Sequence, residues 1–103
     1  NCPMPWGASA GQWIEALRTE IIPELEAFDP DFLLISCGFD AHRADPLSAQ
    51  HLEAETYAEM THMIAHLAGG RIVSVLEGGY DLDALGECAV AHLRALSEAA
   101  STQ

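Results

Sequence analysis

The sequence predicts an α/β fold built on a parallel sheet, in the order helix, strand, helix, strand, helix. Three observations carry that prediction. Two short apolar runs, "FLLISC" at 32–37 and "IVSVL" at 72–76, have the length of strands. Segments with apolar residues every three or four positions precede, separate and follow them. Each run also ends abruptly at a polar loop carrying glycine, Gly38 after the first and Gly78-Gly79 after the second. Strands joined through a helix run parallel, with a right-handed crossover.

Residues 1–8 contain Pro3, Pro5 and Gly7 and read as loop. Ser9 and Gln12 have the spacing of a capping box, in which each side chain satisfies the other's backbone N–H. Trp13, Leu17, Ile21, Leu25 and Phe28 then mark the apolar side of a first helix. Pro23 lies inside it, so a kink there or a break near Ile22 is expected. "DPD" at 29–31 closes the helix. The first strand should be buried on both faces, as in a sheet covered by helices on each side. Its shortness and its flanking turn residues argue against the alternative, a piece of core helix.

Residues 38–51 read as loop. A second helix over 53–68 presents Tyr57, Met60, Ile64 and Leu67 inward and stops at Gly69-Gly70. After the second strand, Asp81 can cap a third helix whose inner face is Leu82, Leu85, Ala89, Leu93 and Leu96. The tail "SEAASTQ" should fray. The 103 residues form a single partial domain. Two parallel strands do not make a covered sheet, so further strands are expected from residues outside the chain or from a second copy. The opening "NCPMPWGASA" reads like a loop from the middle of a longer protein.

Sixteen acidic residues face only four basic ones, all arginine (Arg18, Arg43, Arg71 and Arg94), for a net charge of −12. Such a chain repels phosphate backbones and anionic lipid, which argues against direct nucleic-acid binding and against membrane-surface binding. The same charge suits a cationic substrate, though acidity is also common among soluble proteins and is explained as readily that way. Cys2, Cys37 and Cys88 are far apart and form no C-x-x-C pair, so neither a zinc ribbon nor a disulfide framework is indicated. Cys37 reads as a small buried hydrophobe. A reducing, cytoplasmic setting is expected. No run approaches the ~18 apolar residues of a membrane span, and no signal-peptide pattern opens the sequence.

In parallel α/β sheets the functional loops lie beyond the carboxyl ends of the strands. Asp40, His42 and Asp45 follow the first strand. Carboxylate oxygen and imidazole nitrogen suit zinc or a similar divalent ion, and Asp40 and His42 point the same way in an extended segment. The same residues also serve ordinary loops as turn-formers and surface charges, and their spacing does not separate the two uses. His62 and His66 share a face of the second helix. Without a glutamate beside His62, as in H-E-x-x-H, they read as exposed or satisfied helix histidines. His51 and His92 carry no distinct signal. The Gly78-Gly79 turn before Tyr80 permits close approach to a ligand. It lacks the length and the Lys-Ser/Thr of a phosphate loop, and Glu77 repels phosphate.

"FDPDFLLISCGFDAHRADPL" at 28–47, followed by "VSVLEGGYDLDAL" at 73–85, resembles the C-terminal part of the histone deacetylase superfamily. The likeness is strongest to its class II-like branch, with the acetylpolyamine amidohydrolases and acetoin-utilisation proteins. The opening "NCPMPWGA" resembles that family's N-x-P-(L/M)-P-x-G loop. The resemblance implies the C-terminal fragment of a three-layer α/β/α fold of the arginase/deacetylase type. It implies a zinc-dependent amidohydrolase acting on N-acetyl-lysine, in a small acetylated amine or an acetyl-lysine peptide, or on acetylpolyamines. Asp45 would be the third zinc ligand, aimed by Pro46, which restricts it to extended backbone. Tyr80 would be the catalytic donor to the scissile carbonyl oxygen, set by the Gly78-Gly79 turn beside the substrate. Asp40 and His42 would then be loop-shaping or rim residues.

The family's remaining zinc ligands, an Asp-x-His pair, and the histidines that serve as general base belong to segments upstream of this one. One carboxylate does not hold zinc against water, so this chain by itself is expected neither to bind zinc tightly nor to deacetylate. The alternative to an enzyme part is a non-catalytic α/β module for packing or self-association, since unpaired strand edges invite pairing between chains.

Overall fold

The computed structural model describes residues 1–46 and 50–101. Its elements are α1 (Ala10–Ala16), a π-helical turn (Leu17–Ile21), α2 (Ile22–Phe28), β1 (Leu33–Cys37), α3 (Ala54–Ile64), a 3-10 turn (Leu67–Gly70), β2 (Ile72–Leu76) and α4 (Leu82–Ser101). With α1, the π-turn and α2 taken as one continuous rod, the order is the expected one. The loop expected over 38–51 includes residues 47–49, which lie outside the described residues.

Ser9 opens α1 as the sequence predicts. Its hydroxyl accepts the Gln12 N–H at 3.2 Å, and Gln12 Oε1 accepts the Ser9 N–H at 2.8 Å. Ser9→Ala should lower stability by about 1 kcal/mol, read as a lower urea midpoint at unchanged slope. Pro23 does not break the helix. A proline in α-helical register clashes with the carbonyl four residues before it and donates no hydrogen bond. Just upstream, the Ile22 N–H reaches back five residues to Leu17 O, and this wider turn removes the conflict. α2 ends at Asp29, whose left-handed backbone (φ 53°) lets its N–H close on Leu25 O. The rod stands beside β1 and leaves an apolar groove lined by Trp13, Leu17, Ile21, Leu25, Leu33 and Ile64.

β1 and β2 pair in parallel, with Leu33 opposite Ile72 and Cys37 opposite Leu76. Alternate residues of a strand lie on opposite faces. Ile35 and Cys37 join the core with Cys88 of α4, and Ser74 of β2 is bonded to α4. On the other face Leu34 is 74% exposed, and Val73 and Val75 are also open. The expectation of a strand buried on both faces therefore fails within this chain: the described helices cover one face, and a doubly covered sheet needs a second layer.

The core joins Cys37, Phe39, Ala41, Leu52, Tyr57 and Cys88. The Phe39 ring stands edge-on to Tyr57, with centroids 5.0 Å apart. Burial pushes the Cys37 thiol up and the Cys88 thiol up to about 11, so both stay protonated and pack as small apolar side chains. α3 stops at Ile64, short of the expected 68, because the following residues form a 3-10 turn with left-handed backbone at Ala68 and Gly69. The inner face of α4 also differs from expectation. Ala84, Cys88, His92 and Ala95 are buried, Leu85, Ala89 and Leu96 are partly so, and Leu82 (81% exposed) and Leu93 face outward. α4 packs chiefly on α3, and close helix approach selects the small side chains over the leucines. Of the tail expected to fray, residues 97–101 are helical and Ser101 Oγ donates to Ser97 O at 3.1 Å, while 102 and 103 lie outside the described residues. No helix among the described residues is long and apolar enough to cross a membrane.

Candidate active site

The loops after the two strands meet. Glu77 N–H donates to Cys37 O at 2.9 Å and Phe39 N–H to Gly78 O at 2.8 Å, so the pairing continues past both strand ends. Ser36 Oγ adds a bond to Glu77 Oε1 at 2.8 Å. Further out, Asp45 Oδ2 accepts the Tyr80 N–H at 2.7 Å. Asp45 is only 5% exposed, whereas Tyr80 is 56% exposed. A sheltered carboxylate thus grips the backbone of a residue whose side chain opens to solvent. Bonds of an ionised acceptor are shorter and stronger than neutral ones.

Asp45 is held from behind by its own loop. Its N–H donates to His42 O at 2.9 Å, and the Ala44 N–H donates to His42 Nδ1 at 3.1 Å. With Nδ1 accepting, the neutral ring carries its proton on Nε2, toward Glu53 Oε2 at 3.7 Å. Glu53 also pairs with Arg43 Nε at 2.6 Å. Arg43 N–H donates to Leu52 O, and Leu52 N–H to Ala41 O. His42 therefore shapes the loop. No local pattern points to the Glu53 hub, nor to Gln50, which accepts Trp13 Nε1–H at 2.9 Å and donates to Pro5 O at 3.2 Å. Those two bonds tie the opening loop to the far end of the site loop.

The glycine turn has no room for side chains. Gly79 has φ 136°, and a Cβ there would lie 3.2 Å from Leu85 Cδ1 and 3.3 Å from Phe39 Cβ. A Cβ on Gly78 would lie 2.8 Å from Asp40 Oδ2, so Asp40 packs on the turn as a shaping residue. Gly79→Ala should cost about 1–3 kcal/mol through backbone strain, seen as a lower melting temperature with helix content at low temperature unchanged. Directly after Tyr80, Asp81 caps α4 as expected: its carboxylate accepts the Ala84 N–H at 2.9 Å.

Among the described residues, no three or more His, Cys, Asp or Glu side chains are placed to hold a metal ion. Asp40, His42 and Asp45 do not form a local site. His62 and His66 do not act as a pair either, since His62 faces Glu98 of α4 at 3.3 Å and His66 faces Glu26 of α2 at 3.2 Å. Catalytic zinc takes three protein ligands, so these residues on their own do not fit a zinc ion.

The histone deacetylase domain family matches residues 1–96. This chain belongs to the histone deacetylase family. It is 44% identical over 102 residues to type-2 histone deacetylase 1 of Dictyostelium discoideum, covering 95% of this chain and 7% of that protein. It is 37% identical over 87 residues to the Homo sapiens polyamine deacetylase HDAC10, covering 82% of this chain and 13% of that protein. The solved structure of the histone deacetylase Clr3 superposes with a TM-score of 0.86 at 38% identity, over 89% of this chain and 16% of that one. The chain thus spans less than a fifth of each of these deacetylases. Its helices and parallel strand pair are those of a histone deacetylase domain, as the two sequence motifs implied.

Proposed function

We propose that this chain supplies one metal ligand and the carbonyl-polarising hydroxyl of a zinc-dependent deacetylase. The observation that supports this is the 2.7 Å bond between Asp45 Oδ2 and the Tyr80 N–H, which ties a buried carboxylate to the backbone of a residue with an exposed phenol at adjacent strand ends. In a complete domain Asp45 ligates the metal. The Tyr80 hydroxyl donates to the oxygen of the scissile acetyl amide and stabilises the charge that develops there. Gly78 and Gly79 keep the backbone clear of the substrate. A zinc ion held by Asp45 together with ligands from the rest of a complete domain would supply Lewis acidity there.

The substrate class is an N-acetylated amine, either acetyl-lysine or an acetylpolyamine, and the net charge of −12 favours a cationic molecule. The setting is the cytoplasm. On its own, this chain should show no submicromolar zinc site in isothermal titration calorimetry, because one carboxylate is not a donor set. A stoichiometric tight site, lost in Asp45→Ala and kept in His42→Ala, would place the metal differently. The open face of Leu34, Val73 and Val75 favours a second role in self-association; a monodisperse folded monomer in light scattering removes it.

A further inference from the structure

A second group of buried polar side chains joins α3, α4 and β2 away from the site loops. His92 of α4 and Thr61 of α3 are buried, and Ser74 lies on the covered face of β2. The His92 ring is bonded at both nitrogens, Nδ1 to Thr61 Oγ1 at 2.7 Å and Nε2 to Ser74 Oγ at 2.8 Å. The direction of each proton follows from chemistry. Thr61 donates its hydroxyl hydrogen to Tyr57 O at 2.7 Å, since a carbonyl only accepts. Thr61 Oγ1 must then accept from His92, which puts the ring proton on Nδ1. Nε2 of the neutral ring is an acceptor, so Ser74 donates to it. A one-way chain runs from Ser74 through His92 and Thr61 to the Tyr57 carbonyl.

We infer that His92 is a positioning residue for Tyr80: while neutral, it ties β2 at Ser74 to the helix pair and fixes where the strand delivers the Gly78-Gly79-Tyr80 turn, and its protonation loosens that tie. The importance of Tyr80 rests on the reading above; the tie itself does not. A proton on Nε2 meets the Ser74 hydroxyl hydrogen, so the bond persists only if Ser74 turns round. The titratable groups around the ring are Tyr57 of α3, Cys37 of β1 and Cys88 one turn earlier on α4, with the Phe39 ring edge-on at 6.1 Å. Burial raises all three of those groups and keeps them neutral, so none compensates an imidazolium. Burial likewise holds His92 below its ordinary 6.5. The folded state therefore favours the neutral ring. Its contribution is complete above about pH 6.5 and is lost as pH falls through the lowered folded-state value.

NMR of the full chain, labelled with 15N, tests this without metal or substrate. The ring shifts of His92 at neutral pH should report the proton on Nδ1; a proton on Nε2 overturns the inference with no variant needed. From about pH 7.5 to about 5, the Gly79 and Tyr80 amide signals should move with the midpoint of His92 itself. In His92→Gln, which can still bond Ser74 but does not titrate, that movement should vanish. Movement that persists has its source elsewhere and overturns the inference. If His92→Gln does not fold, Ser74→Ala cuts the link from His92 to β2, along with the Ser74 contact to Cys37, and leaves the bond to Thr61: amides that stop following His92 support the tie, and amides that still follow it refute it. A catalytic failure of Tyr80 would leave these signals unchanged, so the two readings fail separately.

Discussion

Tyr80→Phe, in an active deacetylase domain that includes this chain, should lower kcat by about 10²–10³-fold while leaving zinc content and folding stability nearly unchanged. The structure explains why the two effects separate. Tyr80 is anchored to Asp45 through its backbone N–H, which phenylalanine keeps. Its side chain is largely exposed, so removing the hydroxyl leaves no buried polar group unpaired. On the proposed reading, what is lost is the donor to the acetyl carbonyl oxygen. KM should change little, because that bond strengthens only in the transition state. Steady-state kinetics with an acetyl-lysine peptide and with an acetylpolyamine, alongside metal analysis, give the answer. A Phe variant with wild-type turnover on both substrates would remove Tyr80 from the chemistry.

Asp45→Asn should be about as damaging to activity as Asp45→Ala, but less damaging to the fold. Asparagine keeps an oxygen at the position that accepts the Tyr80 N–H, so the turn should hold. It loses the charge that a divalent cation requires, and kcat/KM should fall by about 10³-fold or more, the equivalent of the several kcal/mol that a bound metal contributes. Alanine removes the acceptor as well. It leaves the Tyr80 N–H unsatisfied and should cost about 1–3 kcal/mol of stability. Urea denaturation and metal content of both variants separate the roles. Equal destabilisation by Asn and Ala would mean that the carboxylate charge, and not the bond to Tyr80, holds the loop together.

Much of the scaffold was legible in the residues. The two apolar runs gave both strands, the Ser9–Gln12 spacing gave the helix start, and Asp81 gave the α4 cap, because each depends on interactions a few residues apart. The features that escaped depend on distant partners. α4 carries two apolar stripes, and which one is buried was decided by the elements it packs on, α3 chiefly. The exposure of Leu34 and Val73 depends on what lies across the sheet. In the site, the resemblance placed Asp45 and Tyr80, but no local pattern foretells a bond between residues 35 positions apart. His92 looked like one more helix histidine, since its partners sit on other elements.

The wide turn before Pro23 also settles a matter of helical phase. Trp13, Leu17, Ile21 and Leu25 repeat at strict intervals of four, and all four line one groove. Around an uninterrupted α-helix such a repeat drifts by about 40° per step, so Leu25 would end ~120° away from Trp13 in azimuth. Underwinding over Leu17–Ile21 runs against that drift. The proline and the four-residue repeat are thus two expressions of one design: a rod that stays in step with a flat wall by giving up regular winding in its middle.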